Sequence, residues 1–321
     1  MNEDFLGRLR DYEISVLMGG WSSEREISLK SGHAVTESLK TLGLKPRSID
    51  LKSAEHIRDI VDSLDLAFIA LHGKGGEDGF VQKILEDSGK KFTGSNSKSC
   101  EIAMNKLETK KIWRELSLPT PDFVEIINAG TKDSATIPYV SGEEDVGHLD
   151  KSFVVKPARE GSSLGITIVH PGRGSLEEAM KEALNYDDLI IVEAYIEGQE
   201  VTVPILGEKT LKPVCIKPKN EFYDFHAKYE RDDTEYYQGD FSPEELDMLR
   251  DFAWHGFSSL GCTGWGRVDF ILDKERNFQL LEVNTSPGMT ENSLVPKSAS
   301  FQDMDFSELI INILKEACFY K

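Results

Sequence analysis

The sequence predicts an α/β (α+β) protein of two or three domains, and three observations carry that prediction. Through residue 94, buried strands alternate with helices, the pattern of a parallel α/β domain. From about residue 150 onward, strands follow one another across short polar turns, as antiparallel sheets do. A chain of 321 residues also exceeds one ordinary compact domain.

Taken in order, YEISVLMGG reads as a buried strand ending in a Gly-Gly turn. The helix SEREISLKSGHAVTESLKTLG follows, with Ser23 and Glu26 in the spacing of a capping box. LDLAFIALHG is a second buried strand, and FVQKILEDSG another helix. Loops at the C-terminal ends of such strands form the ligand edge of an α/β sheet, which places Glu24 and His72 there. SCEIAMNKLETKKIWRELSLPTP reads as one helix up to its prolines, and residues 128–150 as a loop. SFVVKP, the loop AREGSS and GITIVH form a hairpin, and DLIIVEAYI, EVTVPIL and PVCIKPKN are further strands. Residues 221–240, EFYDFHAKYERDDTEYYQGD, mix polar and aromatic residues without a period and read as a long ordered or lid-like loop. SPEELDMLRDFAWHGFSSLG is a helix with a clear N-cap, and DFSELIINILKEACFY an amphipathic helix.

Composition narrows the function. Hydrophobic residues make up 39% and charged residues 29% of a chain with net charge −19, which opposes nonspecific binding to nucleic acid or anionic membrane. No apolar run approaches a membrane span, and the N-terminus MNEDFLGRLRDYE is unlike a signal peptide. Cys100, Cys215, Cys262 and Cys318 show neither paired zinc spacing nor a disulfide framework, so a reducing cytoplasm is the expected location.

The chemistry concentrates in residues 266–290, GRVDFILDKERNFQLLEVNTSPGMT. VDFIL and FQLLEV read as paired strands. Residues two apart share a face, so Arg267 groups with Asp269, and Glu282 with Asn284. If the two faces coincide, three hard oxygen donors meet one guanidinium. That set suits magnesium beside a reaction in which negative charge develops, and equally a pair of surface salt bridges. In VVKPAREGSSLGITIV, Lys156 and the Gly/Ser loop could cover a phosphate or be only a turn; no Walker loop is present. His72 precedes the glycine run GKGGEDG and could be a ligand or a satisfied strand-end histidine.

Nine stretches in order resemble the ATP-grasp carboxylate–amine ligases, specifically the D-alanine–D-alanine ligases: GGWSSEREISLKSG, ALHGKGGEDGFVQ, FTGS, MNKLETK, VVKPAREGSSLG, VEAYIEGQEVTV, FYDFHAKY, GCTGWGRVDF and EVNTSPGMTENSLVP. The resemblance implies an ATP-grasp fold: an N-terminal α/β substrate-binding domain (1–94), a central ATP-grasp subdomain (95–192) and a C-terminal ATP-grasp subdomain with the metal site and lid loop (193–321). It implies ATP-dependent joining of two D-alanines through a D-alanyl phosphate, for peptidoglycan precursors. Lys106 and Lys156 would hold the ATP phosphates under the loop of Gly161, Ser162 and Ser163. Glu193, Tyr195 and Ile196 would form the adenine hinge, and Glu200 would bind ribose. Asp269, Glu282 and Asn284 would hold two Mg2+ ions, or Mn2+. Glu24 would bind the first D-alanine's ammonium, with His72 nearby. Lys228, Ser293 and Leu294 would engage the γ-phosphate and the second substrate's carboxylate. Arg267 and the Gly288 N–H would stabilise the oxyanion, while Glu24, Ser162 and Tyr229 form the hydrogen-bonded group near the attacking amine. A homodimer is implied too. Asn105, Ala194 and Gln199 depart from common family residues and bear on ATP affinity. The alternatives are a D-alanine–D-lactate ligase, which Tyr229 argues against, and an inactive ATP-binding regulatory protein, which Arg267, Asp269, Glu282 and Asn284 argue against.

Overall fold

A computed structural model describes residues 3–127, 140–141, 152–218 and 234–319. Helix α1 (Glu3–Leu9) leads into β1 (Ile14–Gly19), every residue of which is buried. Then come α2 (Arg25–Thr41), β2 (Arg47–Leu51), α3 (Ala54–Ile60), β3 (Leu66–Ile69), α4 (Phe80–Asp87) and β4 (Lys91–Phe92). The strands form a parallel sheet in the order β2-β1-β3-β4. Val16, Met18 and Phe68 pack to one side with Val35 and Leu39 of α2; Leu17 and Ile69 pack to the other with Ile57, Val81 and Leu85. Burial on both faces is why these strands read as continuous apolar runs.

The expected capping box of Ser23 and Glu26 is not formed. The N-cap is Glu24, and it makes no side-chain cap bond. Longer-range bonds fix the helix entrance instead: Ser22 Oγ donates to the His72 carbonyl at 2.7 Å, and Arg25 binds both oxygens of Asp50 at 2.8 Å. Arg25 also donates to the carbonyls of Gly20 and Leu51, tying the ends of β1 and β2 to α2.

The helix expected from residue 99 to the prolines is two helices, α5 (Ser97–Met104) and α6 (Lys106–Glu115). Asn105 lies between them in extended conformation, and its side chain accepts from the N–H groups of Leu107 and Glu108. A residue that bonds the backbone ahead of it starts a new helix more readily than it continues an old one.

Strands β5 (Phe123–Ile127), β6 (Val140–Ser141), β7 (Phe153–Pro157) and β8 (Thr167–Val169), helix α7 (Leu176–Ala183) and β9 (Leu189–Ala194) follow. Their antiparallel sheet runs β6-β5-β9-β7-β8, and β7–β8 is the expected hairpin. Apart from β6, the expected loop at 128–150 lies outside the described residues.

The third sheet is built from β10 (Gly198–Leu206), β11 (Lys209–Thr210), β12 (Val214–Lys217), β13 (Glu235–Tyr237), β14 (Trp265–Asp273) and β15 (Phe278–Asn284), with helix α8 (Pro243–Ser258) between β13 and β14. Its order is β13-β12-β10-β14-β15, with β11 on β10. Residues 235–237, expected within a period-free loop, pair with β12 instead, because the aromatic pair Tyr236–Tyr237 finds a strand edge. Ser242 and Glu245 complete a capping box at the start of α8, as the sequence predicts. One face of the sheet packs Val201, Val203, Val268, Phe270 and Leu280 against Leu249, Ala253 and Phe257 of α8 and against Trp113 of α6.

Helices α9 (Leu294–Ser300) and α10 (Phe306–Phe319) close the described chain. Leu309, Ile310, Ile313 and Leu314 of α10 join Val16, Phe68 and Leu39 in the core beside the first sheet. Among the described residues no helix is long and apolar enough to cross a membrane.

The Asn105 cap yields a test of local stability. Asn105→Ala should lower unfolding free energy by about 1 kcal/mol, and Asn105→Asp, which keeps an acceptor, by much less. Urea denaturation of the three proteins distinguishes them.

Candidate active site

The site is built on the exposed face of the β14–β15 hairpin. Arg267 lies opposite Asn284 and Asp269 opposite Glu282, so all four side chains project from one face of the sheet. A β-bulge lies just beyond this patch. Phe270 pairs with Leu280, which leaves Leu281 as an extra residue on β15. Phe278, Leu280 and Val283 therefore all reach the core, while Glu282 and Asn284 face the cleft.

Three adjoining cavities meet along this face. The largest, about 460 Å³, is polar and contains Glu24, His72, Gly288, Ser293 and Leu294. A slot of about 140 Å³ lies between the second and third sheets, walled by Ile168, Ile196, Ile216 and Leu281 together with Lys156, Ser163, Glu193, Tyr195 and Glu200. A small cavity of about 40 Å³ contains Glu24, Lys106, Gly161, Ser162, Glu282 and Asn284. Arg267 borders all three. The sequence-predicted residues thus converge on one cleft, except Lys228 and Tyr229, which lie outside the described residues.

Charge in the cleft is closely paired. Arg267 contacts Asp269, whose Oδ1 also accepts from Thr202 Oγ1 at 2.6 Å. Lys106 donates to the Glu160 carbonyl at 2.6 Å and lies 3.3 Å from Glu282. Buried Glu193 pairs with Lys156 on one side and with Lys110, at 2.7 Å, on the other. Asn284 Oδ1 accepts from the Ser286 N–H.

The loop after β7 reaches across to the first sheet. A Cβ on Gly161 would stand 3.0 Å from Glu24 Oε1, so a side chain there would press on that carboxylate. Ser162 and Ser163 hold left-handed conformations, with φ of 51° and 60°. Side chains there are strained, as is common at functional turns.

His72 is a fully engaged histidine at the pocket wall. Its Nδ1 donates to the Ser286 carbonyl at 2.8 Å, which leaves Nε2 to accept from Ser31 Oγ at 2.9 Å. Ser31 in turn accepts from the Met289 N–H. The ring therefore clamps the 284–290 turn to α2, and burial holds its pKa below the usual histidine value.

Asp269, Glu282 and Asn284 offer two carboxylates and one amide oxygen. Among the described residues no group of three His, Cys, Asp or Glu could form an all-protein metal cage. Hard oxygens in so small a number fit magnesium, which keeps positions for water and phosphate oxygens, and the paired strands present all three on one face. Manganese accepts the same donors.

The comparisons with known proteins agree with this geometry. Residues 112–315 match the family model described as D-ala D-ala ligase C-terminus. A curated D-alanine–D-alanine ligase from Actinobacillus succinogenes is 39% identical over 96% of this chain and 98% of its own. The chain belongs to the D-alanine–D-alanine ligase family. A crystal structure of such a ligase from Bacillus anthracis superposes with a TM-score of 0.81 at 31% identity, covering 95% of this chain and 97% of that one. Its complex with ATP superposes at 0.80 and 29% identity, with the same coverage. The fold is the ATP-grasp fold expected from the sequence.

Several residues in and beside the cleft escape a reading of the sequence. Lys110 stands four residues after Lys106 on α6 and so shares its face, but its partner Glu193 comes from a distant strand. Burial pushes Lys110 down to about 7, with Arg114 and Lys106 acting the same way and Glu282 opposing. Lys297 lies 5.0 Å from the centre of the Tyr236 ring, and both border the polar pocket. Glu77, within GKGGEDG, is buried 3.8 Å from His72. Burial, reinforced by Glu24, raises its pKa well above the usual carboxylate value.

The Glu77 shift has a definite sign. A carboxyl with a raised folded-state pKa favours the fold below its unfolded value, and that contribution is lost as pH rises through the folded value. Glu77→Gln mimics the neutral acid and escapes the loss. It should melt above the wild type at about pH 8 and level with it near about pH 4, as scanning calorimetry can measure.

Proposed function

We propose that this chain joins two D-alanines into D-alanyl-D-alanine, converting ATP to ADP and phosphate through a D-alanyl phosphate, to supply peptidoglycan precursors. The observation that carries the reading is the position of Arg267 on the common wall of the apolar slot and the polar pocket. ATP fits the slot. Ile196 and Tyr195 flank the adenine and Glu200 the ribose, while Lys106, Lys156 and the loop of Gly161, Ser162 and Ser163 hold the phosphates.

Glu24 binds the ammonium of the first D-alanine and so aims its carboxylate at the γ-phosphorus. Transfer of the phosphoryl group needs alignment and charge neutralisation more than covalent help. Asp269, Glu282 and Asn284 would hold two Mg2+ ions, or Mn2+, which when bound offset the charge on the phosphate oxygens. The second D-alanine, its carboxylate held by Lys228, Ser293 and the Leu294 segment, loses a proton and attacks the acyl carbon as an amine. Glu24, Ser162 and Tyr229 form the hydrogen-bonded group that relays that proton, with the Glu24 carboxylate as its acceptor. Arg267 and the Gly288 N–H stabilise the tetrahedral oxyanion, which then expels phosphate. His72 positions the turn that carries Gly288. Acyl phosphates hydrolyse readily, so the cleft must exclude water, and the segment that carries Lys228 and Tyr229 is the lid in this reading. A homodimer located in the cytoplasm completes it.

Purified protein given ATP, magnesium and D-alanine should release phosphate and dipeptide in equal amounts. Offered D-lactate as well, it should still form D-alanyl-D-alanine almost alone. Phosphate release without dipeptide, or abundant D-alanyl-D-lactate at neutral pH, would overturn the assignment.

Asp269→Asn and Glu282→Gln should each lower kcat by at least about a hundredfold without changing the circular dichroism spectrum. Near wild-type turnover of either variant at low magnesium would remove these residues from the metal site.

A further inference from the structure

Glu193 is buried between two lysines that differ in where they can go. Its side chain is 2% exposed, that of Lys110 is 0% and that of Lys156 is 8%. Lys156 borders the nucleotide slot; Lys110 does not. Lys110 is also held from other sides, donating to Thr120 Oγ1 at 2.6 Å and to the Leu280 carbonyl at 3.5 Å. Thr120 Oγ1 donates to that same carbonyl at 2.9 Å. Two hydrogen bonds and the ion pair with Glu193 together hold this one amine. Lys110 is therefore anchored where α6, the 119–120 turn and β15 meet.

We infer that Lys110 is a positioning residue: it is the fixed counter-ion of Glu193, and its presence lets Lys156 turn from that carboxylate toward the phosphates of ATP. The inference rests on the reading of Lys156 as a phosphate-binding residue. Were Lys156 the only cation beside Glu193, it could not leave without stranding an uncompensated carboxylate, and a stranded buried charge is strongly unfavourable. With Lys110 in place, the carboxylate keeps one cation whichever way Lys156 points. A buried two-lysine arrangement thus separates the demand for neutrality from the demand for a mobile cation.

The measurement is the ratio of affinities for a non-hydrolysable ATP analogue and for adenosine, by titration calorimetry with magnesium on the acid side of neutrality, because burial lowers the pKa of Lys110. The ratio isolates the phosphate contribution from packing of the base. Lys110→Met should lower it by about tenfold or more, while adenosine affinity changes by less than about twofold. Adding Glu193→Gln to Lys110→Met removes the carboxylate that traps Lys156, so the ratio should recover to near the wild-type value. Equal loss of ATP-analogue and adenosine affinity, or no recovery in the double variant, would reduce Lys110 to a packing role and overturn the inference. Should Lys110→Met fail to fold, a folded double variant with the wild-type ratio supports the inference, and an unfolded one overturns it. Lys156→Met serves as the separate control. If it keeps the wild-type ratio, the phosphate reading of Lys156 fails; if it loses the ratio while Lys110→Met keeps it, only the role of Lys110 fails.

Discussion

The register of β14 against β15 is the constraint on which the rest of the cleft depends. Arg267 opposite Asn284 and Asp269 opposite Glu282 bring a cation and three oxygen donors onto one patch. Without the bulge at Leu281, strict alternation along β15 would carry Leu280 to the same face as Glu282. The bulge lets the strand serve two masters: Phe278 and Leu280 complete the core under α8, and Glu282 and Asn284 remain in the cleft. Leu281 itself becomes part of the apolar slot wall. The backbone of Leu280 is fixed from the side as well, its N–H donating to the Pro119 carbonyl and its carbonyl accepting from Thr120 and Lys110.

Around that patch, opposite charges are kept within reach of one another. A protein with net charge −19 holds Lys106, Lys156 and Arg267 together in one cleft, with Lys110 buried behind it, each beside a carboxylate. Isolated, any of these ions would be costly to remove from water. Paired, they form a preset field in which an incoming polyanion exchanges one set of partners for another. The same economy explains the neutral groups. His72 and Glu77 are held toward their uncharged forms by burial.

Much of this was legible in the sequence, and the gaps have physical causes. Two-residue spacing on strands identified the grouping of Arg267 with Asp269 and of Glu282 with Asn284, because face-sharing depends only on local geometry. The cap at Ser242 was legible for the same reason. The bulge was visible only as the doublet Leu280–Leu281, which breaks alternation without saying which residue is the extra one; pairing with β14 decides that. Ser23 and Glu26 had the spacing of a capping box, but the contacts of Ser22 with His72 and of Arg25 with Asp50 overrode it. Lys110 looked like one more lysine in a charged helix, since the strand that buries it lies far along the chain. The short strands β2 and β4 gave too few residues for a period to show.

The helix α10 completes the core beside the first sheet, so residues 309–314 meet residues 16, 39 and 68. During synthesis, the α/β segment therefore emerges from the ribosome well before the helix that covers one of its apolar faces. Until then Val16, Phe68 and Leu39 lack part of their cover, and the nascent chain presents an oily patch to its surroundings. That face of the N-terminal layer is completed only when α10, made much later than β1 and β3, packs against it.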